Sequence, residues 1–357
     1  MRPDEDSQPD VVKSTQDHTG SSERIYMVTS RDVARLAGVS QATVSRALSS
    51  SRKVSADTTD RVKAAVETLQ YVPHAGAQAM KTRRAKTLGV VVTDMANPFY
   101  SEQLDELTKV LDTAGYRVVL WNADGAGHHD ALNAIRDRAV DGVIFTSATD
   151  DSAELQAALD RDSPIVLINR IIDGLECDQV TSDNRAGGVI VADYLIDQNK
   201  TCVAFIGGSE NASTSRNRGE GFMSRMAERG YPIPEGLHSH GAFSHEQSFQ
   251  IMSELIASPH SLQAVFCAND FMAFGAIDAV RSHGLSVPND FWVIGYDDVD
   301  MASWASFDLT TVRQPSREMA RVGAKMLLNR IESPELAMQH VVFPCELKVR
   351  GSTRAPS

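Results

Sequence analysis

Hydrophobic and polar residues follow two different patterns along the chain, one before residue 72 and one after residue 88. Between residues 29 and 69 apolar residues recur every three or four positions, which predicts short amphipathic helices. The later part alternates helical stretches with continuous apolar runs: LGVVV, YRVVLW, DGVIF, PIVLI, CVAFIGG, AVFCA and FWVIGY. Such runs are typical of strands buried on both faces. We therefore expect an α/β protein with doubly wound parallel sheets behind a small all-α unit.

The first pattern predicts three helices that bury one another. Their apolar stripes are Val33, Leu36 and Ala37; Val44 and Leu48; and Val62, Ala65, Val66 and Leu69. Thr29 and Asp32 have the spacing of a capping box, and the first stripe ends at Gly38. Ser40 can cap the second helix. Because the first helix ends before Gly38, only the three residues 38–40 separate the two helices. This arrangement is a helix-turn-helix.

Composition and punctuation divide the chain into four segments. We expect a disordered tail over 1–27, a helix-turn-helix domain over 28–72, a hinge helix and linker over 73–87, and a core over 88–353. The core is too long for one such sheet, so we divide it into two subdomains with a cleft between them. The expected subdomains are 88–181 with 314–340 and 182–313 with 341–353. The sequence leaves open whether Met27 is the true start.

The net charge of −12 conceals an uneven distribution. Residues 28–87 carry 11 basic and 4 acidic side chains, whereas residues 88–357 carry 21 and 37. A basic unit joined to an acidic body is expected when only one of them meets phosphate groups. The four cysteines are far apart, the N-terminus is acidic, and no apolar run approaches the length of a membrane span. We therefore expect a cytoplasmic protein without a disulfide framework or a membrane segment.

The second helix of a helix-turn-helix enters the major groove of DNA with its first turns. Residues on that face are expected to read base edges: Gln41, Ala42 and Arg46. Their neighbours are expected to contact phosphates: Ser40, Thr43 and Ser45. Arginine can bond guanine through two donors, and glutamine can bond adenine in the same way. We therefore expect double-stranded DNA as one partner.

Several motifs match one family in its own order. They are VTSRDVARLAGVSQATVSRAL, VSADTTDRVKAAVETLQYVPHAGAQAM and LGVVVTDMANPFY. Over residues 28–353 the chain resembles the lactose-repressor/galactose-repressor family of bacterial transcription regulators. Its core is also similar to periplasmic ribose-binding proteins through NPFY, SRNRGEGF, AND and GYDD. The resemblance implies a repressor with a periplasmic-binding-protein-like core.

The resemblance also implies a hinge helix that folds on the operator and inserts an apolar side chain into the minor groove. Met80 occupies the place of the usual leucine, and Lys81 beside it would lie against the DNA backbone. Two positions depart from the family pattern: His74 replaces the usual asparagine or serine cap, and Gly76 replaces a larger residue. Both changes weaken the hinge helix.

Polar side chains follow several predicted strands, where parallel α/β sheets bind their ligands. They are Asn97, Asn169, Arg170, Asn269 and Asp297. Aromatic faces suited to the apolar side of a sugar are offered by Phe99, Tyr100 and Phe243. The resemblance to ribose-binding proteins adds Arg216 and Gln314. One position departs, because Asn169 stands where those proteins commonly have aspartate, so the identity of the sugar stays open.

These residues predict a dimeric repressor that binds a pseudo-palindromic operator and is released by a small sugar or polyol, with a ribose-like pentose favoured. Two alternatives are a regulator that needs its ligand to bind DNA, as in the purine-repressor branch, and a sugar-binding transport protein. An enzyme is not expected, because GxSxG and GxxxxGK[ST] are absent and His245-Glu246 lacks a second histidine at position 249. We expect no cofactor and no metal site.

Overall fold

The computed structural model describes residues 28–48, 54–71, 84–123, 127–149 and 151–354. Contacts divide the chain into two units, residues 1–78 and residues 79–357. The expectations for the tail, and those for the hinge over residues 72–83, lie outside the described residues. No helix in the described part of the chain is both long enough and apolar enough to span a membrane.

The first unit contains the helices α1 (Ser30–Ala37), α2 (Gln41–Leu48) and α3 (Ala56–Thr68). The Asp32 carboxylate accepts hydrogen bonds from the backbone N–H of Thr29 at 3.0 Å and from its hydroxyl at 2.7 Å, which fixes the start of α1. At the other end Gly38 adopts a left-handed φ of 62°. Arg61 on α3 donates to the carbonyl of Ala37 at 2.5 Å. A side chain of α3 therefore stabilises the turn between α1 and α2.

The core of this unit is formed by small apolar residues. One valine from each helix is almost fully buried: Val33, Val44 and Val62. Two residues of the predicted stripes are not buried in this core: Leu36 is 53% exposed and Leu48 is 38% exposed. Ala34 takes the place expected for Leu36. A small side chain at this position lets the short helices approach closely. The predicted apolar stripe of α1 was therefore wrong at Leu36.

The second unit contains two sheets with helices between their strands. The strands are β1 (Thr87–Val92), β2 (Arg117–Asn122), β3 (Val143–Phe145), β4 (Ile165–Ile168), β5 (Asp178–Ser182), β6 (Val203–Gly207), β7 (His238–His240), β8 (Ala264–Cys267), β9 (Trp292–Asp297), β10 (Thr310–Arg313), β11 (His340–Phe343) and β12 (Glu346–Lys348). The helices are α4 (Pro98–Thr113), α5 (Gly127–Arg136), α6 (Ala153–Leu159), α7 (Asn184–Asp197), α8 (Ser213–Glu228), α9 (His245–Ala257), α10 (Asp270–Ser282) and α11 (Ser316–Glu332). Short 3-10 helices cover Glu235–Leu237, Asp300–Ser303 and Gly351–Thr353.

Within the described part of the chain, each sheet has six strands. The first has the order β11-β5-β4-β3-β1-β2 with parallel neighbours throughout, and the second has the order β12-β10-β9-β8-β6-β7. In the second sheet only the edge strand β12 is antiparallel to its neighbour. Adjacent residues of β4 face different hydrophobic clusters, Val166 on one side and Leu167 on the other. The predicted α/β class with two parallel sheets is confirmed.

The chain passes between the sheets three times, at residues 182–184, 313–316 and 343–346. The last crossing comes later than expected, because β11 pairs with β5 and so belongs to the first sheet. The placement of residues 341–343 in the second subdomain was therefore wrong. A buried ion pair holds this region: Arg330 contacts both carboxylate oxygens of Asp178, at 3.0 and 3.1 Å. Asp178 also accepts the N–H of Gln339 at 2.9 Å, which brings the chain back beside β5.

Candidate functional site

Helix α2 presents one face to solvent and one to the core of its unit. The residues predicted to contact DNA are exposed or half-buried: Ser40, Gln41, Ala42, Thr43, Ser45 and Arg46. Val44 and Ala47 lie on the opposite face and are buried. The Ser40 hydroxyl accepts a hydrogen bond from the N–H of Thr43 at 3.1 Å, so α2 begins where the sequence predicts.

The two polar side chains predicted to read base edges have local partners. Gln41 donates to the hydroxyl of Ser30 at 2.6 Å, and Arg46 donates through Nε to the carbonyl of Ala42 at 3.2 Å. Both contacts are exposed, so base edges can replace them at small cost. Met80 and Lys81, the other residues predicted to contact DNA, lie outside the described residues.

A cavity of about 480 Å³ lies between the two sheets, at the carboxyl ends of their strands. Of the ten predicted effector-binding residues, eight line it: Asn97, Phe99, Tyr100, Asn169, Arg170, Phe243, Asn269 and Asp297. Asn97 and Asn269 begin helices α4 and α10, and each side-chain oxygen accepts a backbone N–H of the first turn. These caps hold both amide groups at the cavity from opposite sheets.

Aromatic rings cover part of the wall. Phe99 and Tyr100 pack edge to face with their centroids 5.6 Å apart, and both are buried. Phe243 has a left-handed φ of 61°, and its ring lies 5.8 Å from the Arg170 guanidinium. A Cβ atom at Gly208 would lie 2.3 Å from that ring, so the close approach requires glycine there. These flat apolar faces suit the C–H side of a sugar ring.

Two polar atoms in the cavity wall are buried without a hydrogen-bond partner: Asn169 Oδ1 and Arg170 Nε. Asn169 follows β4 with a left-handed φ of 80°, and Arg170 donates through Nη1 to the carbonyl of Ser147. Buried polar atoms are rarely left unsatisfied. One atom is an acceptor and the other a donor, so a group that can both donate and accept would satisfy them.

Arg218, rather than Arg216, lines the cavity. The exposed Arg216 donates to the carbonyl of Glu210 at 3.1 Å. Arg218 is 2% exposed and lies 3.4 Å from Asp297 Oδ1. It shares one face of α8 with the buried Phe222, four residues later, whereas Arg216 points elsewhere on the helix. The expectation for Arg216 was therefore wrong, and the helical period of SRNRGEGF could have identified the second arginine.

Gln314 does not line the cavity but supports a residue that does. Its amide donates to Asp297 Oδ1 at 2.6 Å and accepts from the Ser182 hydroxyl at 2.8 Å. Burial raises the pKa of the Asp297 carboxyl to about 7, although Arg218 and the Gln314 amide act against this shift. The expectation that Gln314 itself contacts the ligand is replaced by a positioning role, because its side chain lies between two of the crossing segments.

The cavity also contains residues that the sequence analysis missed, among them Asp94, Asp151 and Glu154. They belong to loops or short helices after β1 and β3, where no single motif marks them. The position of these loops at the carboxyl edge of the sheet is the signal that could have found them. The described residues contain no group of three or more histidines, cysteines, aspartates or glutamates placed to hold a metal ion.

A helix-turn-helix unit and a two-sheet core with a polar cleft together define a ligand-responsive DNA-binding protein. Residues 29–74 match the model of bacterial regulatory proteins of the lacI family, and residues 192–353 match the periplasmic binding protein-like domain. The chain is 35% identical over 330 residues to the ribose operon repressor of Escherichia coli (strain K12), covering 91% of this chain and all of the relative. The chain belongs to the lacI family of bacterial regulatory proteins and is a DNA-binding transcription regulator.

Two solved structures are similar over most of their length. The lac repressor dimer bound to operator and an anti-inducer has a TM-score of 0.80 at 26% identity, covering 92% of this chain and 99% of that one. A lacI-family regulator from Enterococcus faecium with bound ribose has a TM-score of 0.67 at 28% identity, covering 75% of this chain and 98% of that one. These relatives are regulators rather than enzymes.

Proposed function

We propose that this cytoplasmic regulator binds a pseudo-palindromic operator as a dimer through α2, and that a small sugar or polyol releases it. A ribose-like pentose is the favoured effector. The pair of buried unpartnered atoms in the cleft, Asn169 Oδ1 and Arg170 Nε, carries the effector proposal, because hydroxyl groups both donate and accept. The ribose operon repressor and the ribose-bound regulator among the relatives support the same class of ligand.

The cleft offers groups from both sheets. Asn97 and Phe99 follow a strand of the first sheet, whereas Asn269 follows a strand of the second sheet and Asp297 is the last residue of another. A ligand that contacts both sides binds the closed arrangement more tightly than the open one, and this difference in affinity shifts the equilibrium. Closure in a dimer changes the separation of the chain segments that lead to the two DNA-binding units, so operator binding weakens.

The DNA-binding part is tested by fluorescence anisotropy of the full chain on an operator obtained by selection from random duplexes. We expect Arg46→Ala to lose about 1 to 3 kcal/mol of discrimination at one base position in each half-site. Arg35→Ala is the matched control, since Arg35 is an exposed arginine on α1, paired with Asp32. Unchanged discrimination by the Arg46 variant at every base position would refute the assignment of α2.

Addition of D-ribose or another small sugar or polyol to the complex should release the operator. Tighter operator binding in the presence of a purine base, with every sugar and polyol inactive, would instead support the ligand-requiring type of regulator. The base discrimination that Arg46 provides does not depend on which ligand acts. The assignment of α2 as the DNA-binding helix and the assignment of the effector are therefore tested separately.

A further inference from the structure

The side chains that line the cleft carry more negative than positive groups. The acidic residues are Asp94, Asp151, Glu154 and Asp297, and the basic residues are Arg170 and Arg218. No lysine or histidine occurs among the described residues that line the cavity. With all six groups ionised, the lining has a net charge of −2. The negative net charge of the lining affects which ligands the cleft can bind.

Three of the carboxylates follow strands of the first sheet and form what we call the acidic wall: Asp94, Asp151 and Glu154. Glu154 is only 3% exposed, and Asp151 accepts a hydrogen bond from the hydroxyl of Thr149 at 2.5 Å. Burial raises the pKa of the Tyr100 phenol; Arg170 lowers it, and the negative charges of Asp297 and Asp94 raise it further. The field of the acidic groups therefore reaches an aromatic ring of the cavity.

The positive charge of Arg218 is already matched. Its Nε donates to Asn184 Oδ1 at 2.8 Å, its Nη1 donates to the carbonyl of Ala268 at 2.6 Å, and Asp297 lies beside it. The guanidinium also stacks on the ring of Tyr296 at 3.7 Å. A phosphate or carboxylate is normally held by a free guanidinium fork or by several charged donors. Arg170 is the remaining arginine of the cavity, and its Nη1 already donates to Ser147.

Hydroxyl groups suit this lining better than anionic groups do. A carboxylate can accept several hydrogen bonds, and Asn169 Oδ1 is a buried acceptor without a partner, so a ligand that supplies donors fits this lining. A phosphate dianion or a carboxylate group brings only acceptors and is repelled by nearby negative charges. A sugar hydroxyl donates to a carboxylate and can still accept from Arg170 Nε.

We infer that the effector carries no negative charge, and that Glu154 and Asp151 are specificity-determining residues that exclude phosphorylated and carboxylated sugars. The inference rests on the proposed role of the cleft as the effector site. The expected effectors are therefore neutral polyhydroxy compounds. Sugar phosphates, uronic acids and nucleotides are not expected to act as effectors.

Matched pairs of compounds test the inference on the full chain bound to its operator. The pairs are D-ribose and ribose 5-phosphate, D-glucose and glucose 6-phosphate, and D-galactose and D-galacturonate, with operator release and calorimetric affinity as readouts. We expect the neutral member of each active pair to bind at least about tenfold more tightly, a difference of about 1.4 kcal/mol. Release by an anionic member in preference to its neutral counterpart would overturn the inference alone. Inactivity of all six compounds would count against the proposed function as well.

Two substitutions locate the effect. Asp151→Asn changes an exposed residue, and Glu154→Gln changes a buried one, so the melting temperature of each variant is measured without ligand. Both variants should bind the anionic member of the active pair several-fold more tightly relative to the neutral member. Asp112→Asn is the control, because Asp112 is an exposed carboxylate on α4 that does not line the cavity. An unchanged ratio in both folded variants would remove Asp151 and Glu154 from the specificity role.

Discussion

The acid–base chemistry of Asp297 in the cavity depends on its surroundings. The carboxyl is 5% exposed, and burial raises its pKa to about 7. The groups that face it are Arg218 on α8, which lowers the pKa, Glu102 on α4, which raises it, and the buried Asp270 on α10, whose own pKa is raised by burial and by Asp297. The proton on Asp297 is therefore exchanged near neutral pH, although an exposed aspartate is fully ionised there.

This raised pKa predicts pH-dependent binding of the sugar. A hydroxyl that donates to Asp297 needs the ionised carboxylate, so binding releases a proton below pH 7 and the affinity rises with pH until it levels off above the pKa. We expect about tenfold weaker binding of the releasing sugar at pH 6 than at pH 8, measured by calorimetry in buffers of different ionisation enthalpy. Asp297→Asn should bind weakly at both pH values, whereas Asp112→Asn should keep the dependence. Equal wild-type affinity at pH 6 and pH 8 would show that Asp297 does not accept from the ligand in its charged form.

At the scale of elements, the turn between α1 and α2 determines how the recognition helix is held. Gly38 has a left-handed φ of 62°, and a Cβ atom there would lie 3.0 Å from Arg61 Nη2, the group that caps α1. For residues other than glycine, this left-handed backbone conformation is less stable by about 1 to 2 kcal/mol. A substitution at this one position therefore acts on all three helices.

Gly38→Ala should loosen the helix-turn-helix unit by about 1 to 2 kcal/mol and weaken operator binding, without changing the sugar affinity of the core. Hydrogen-exchange mass spectrometry of the full chain measures the effect on peptides that cover residues 28–71. Leu36→Ala is the control on the same helix, since Leu36 is 53% exposed and its truncation should cost little. Identical exchange in the glycine variant and the wild type would mean that the turn does not limit the stability of this unit.

At the scale of the whole molecule, the cleft is connected to the segments that join the two sheets. Gln314 lies in one crossing segment, accepts from Ser182 at the start of another and donates to Asp297 in the cavity. Under the proposed closure, a ligand that engages Asp297 therefore acts on the segments that join the two sheets. Because coupling between two binding sites is reciprocal, the operator must weaken sugar binding by the factor by which the sugar weakens operator binding.

We expect this factor to be about 5 to 150. Anisotropy gives the operator affinity with and without saturating sugar, and calorimetry gives the sugar affinity with and without saturating operator. Sedimentation should show a dimer in all four conditions, in keeping with a two-half-site operator. Gln314→Met should reduce the factor while leaving operator affinity in the absence of sugar unchanged. Undiminished coupling in this variant would show that closure is transmitted without Gln314.

The sequence by itself determined the elements of this protein and the edge of the sheets where its cleft lies. Apolar runs that are buried on both faces leave few alternatives to parallel strands between helices. The carboxyl ends of such strands meet at one edge, so Asn97, Asn169, Asn269 and Asp297 are brought together by topology. The capping residues Thr29 and Ser40 similarly fixed where α1 and α2 begin, because a cap acts within one turn of chain.

Only the tertiary structure decided which of two neighbouring residues faces inward and what supports it. Arg218 rather than Arg216 enters the cavity because the packing of α8 sets its rotation, and Leu36 is exposed because small residues fit the contacts of α1 better. The strand over 340–343 joined the first sheet because the distant pair Arg330–Asp178 holds it there. Each outcome depends on contacts between residues far apart in the chain or on helix rotation, and local patterns of polarity carry neither.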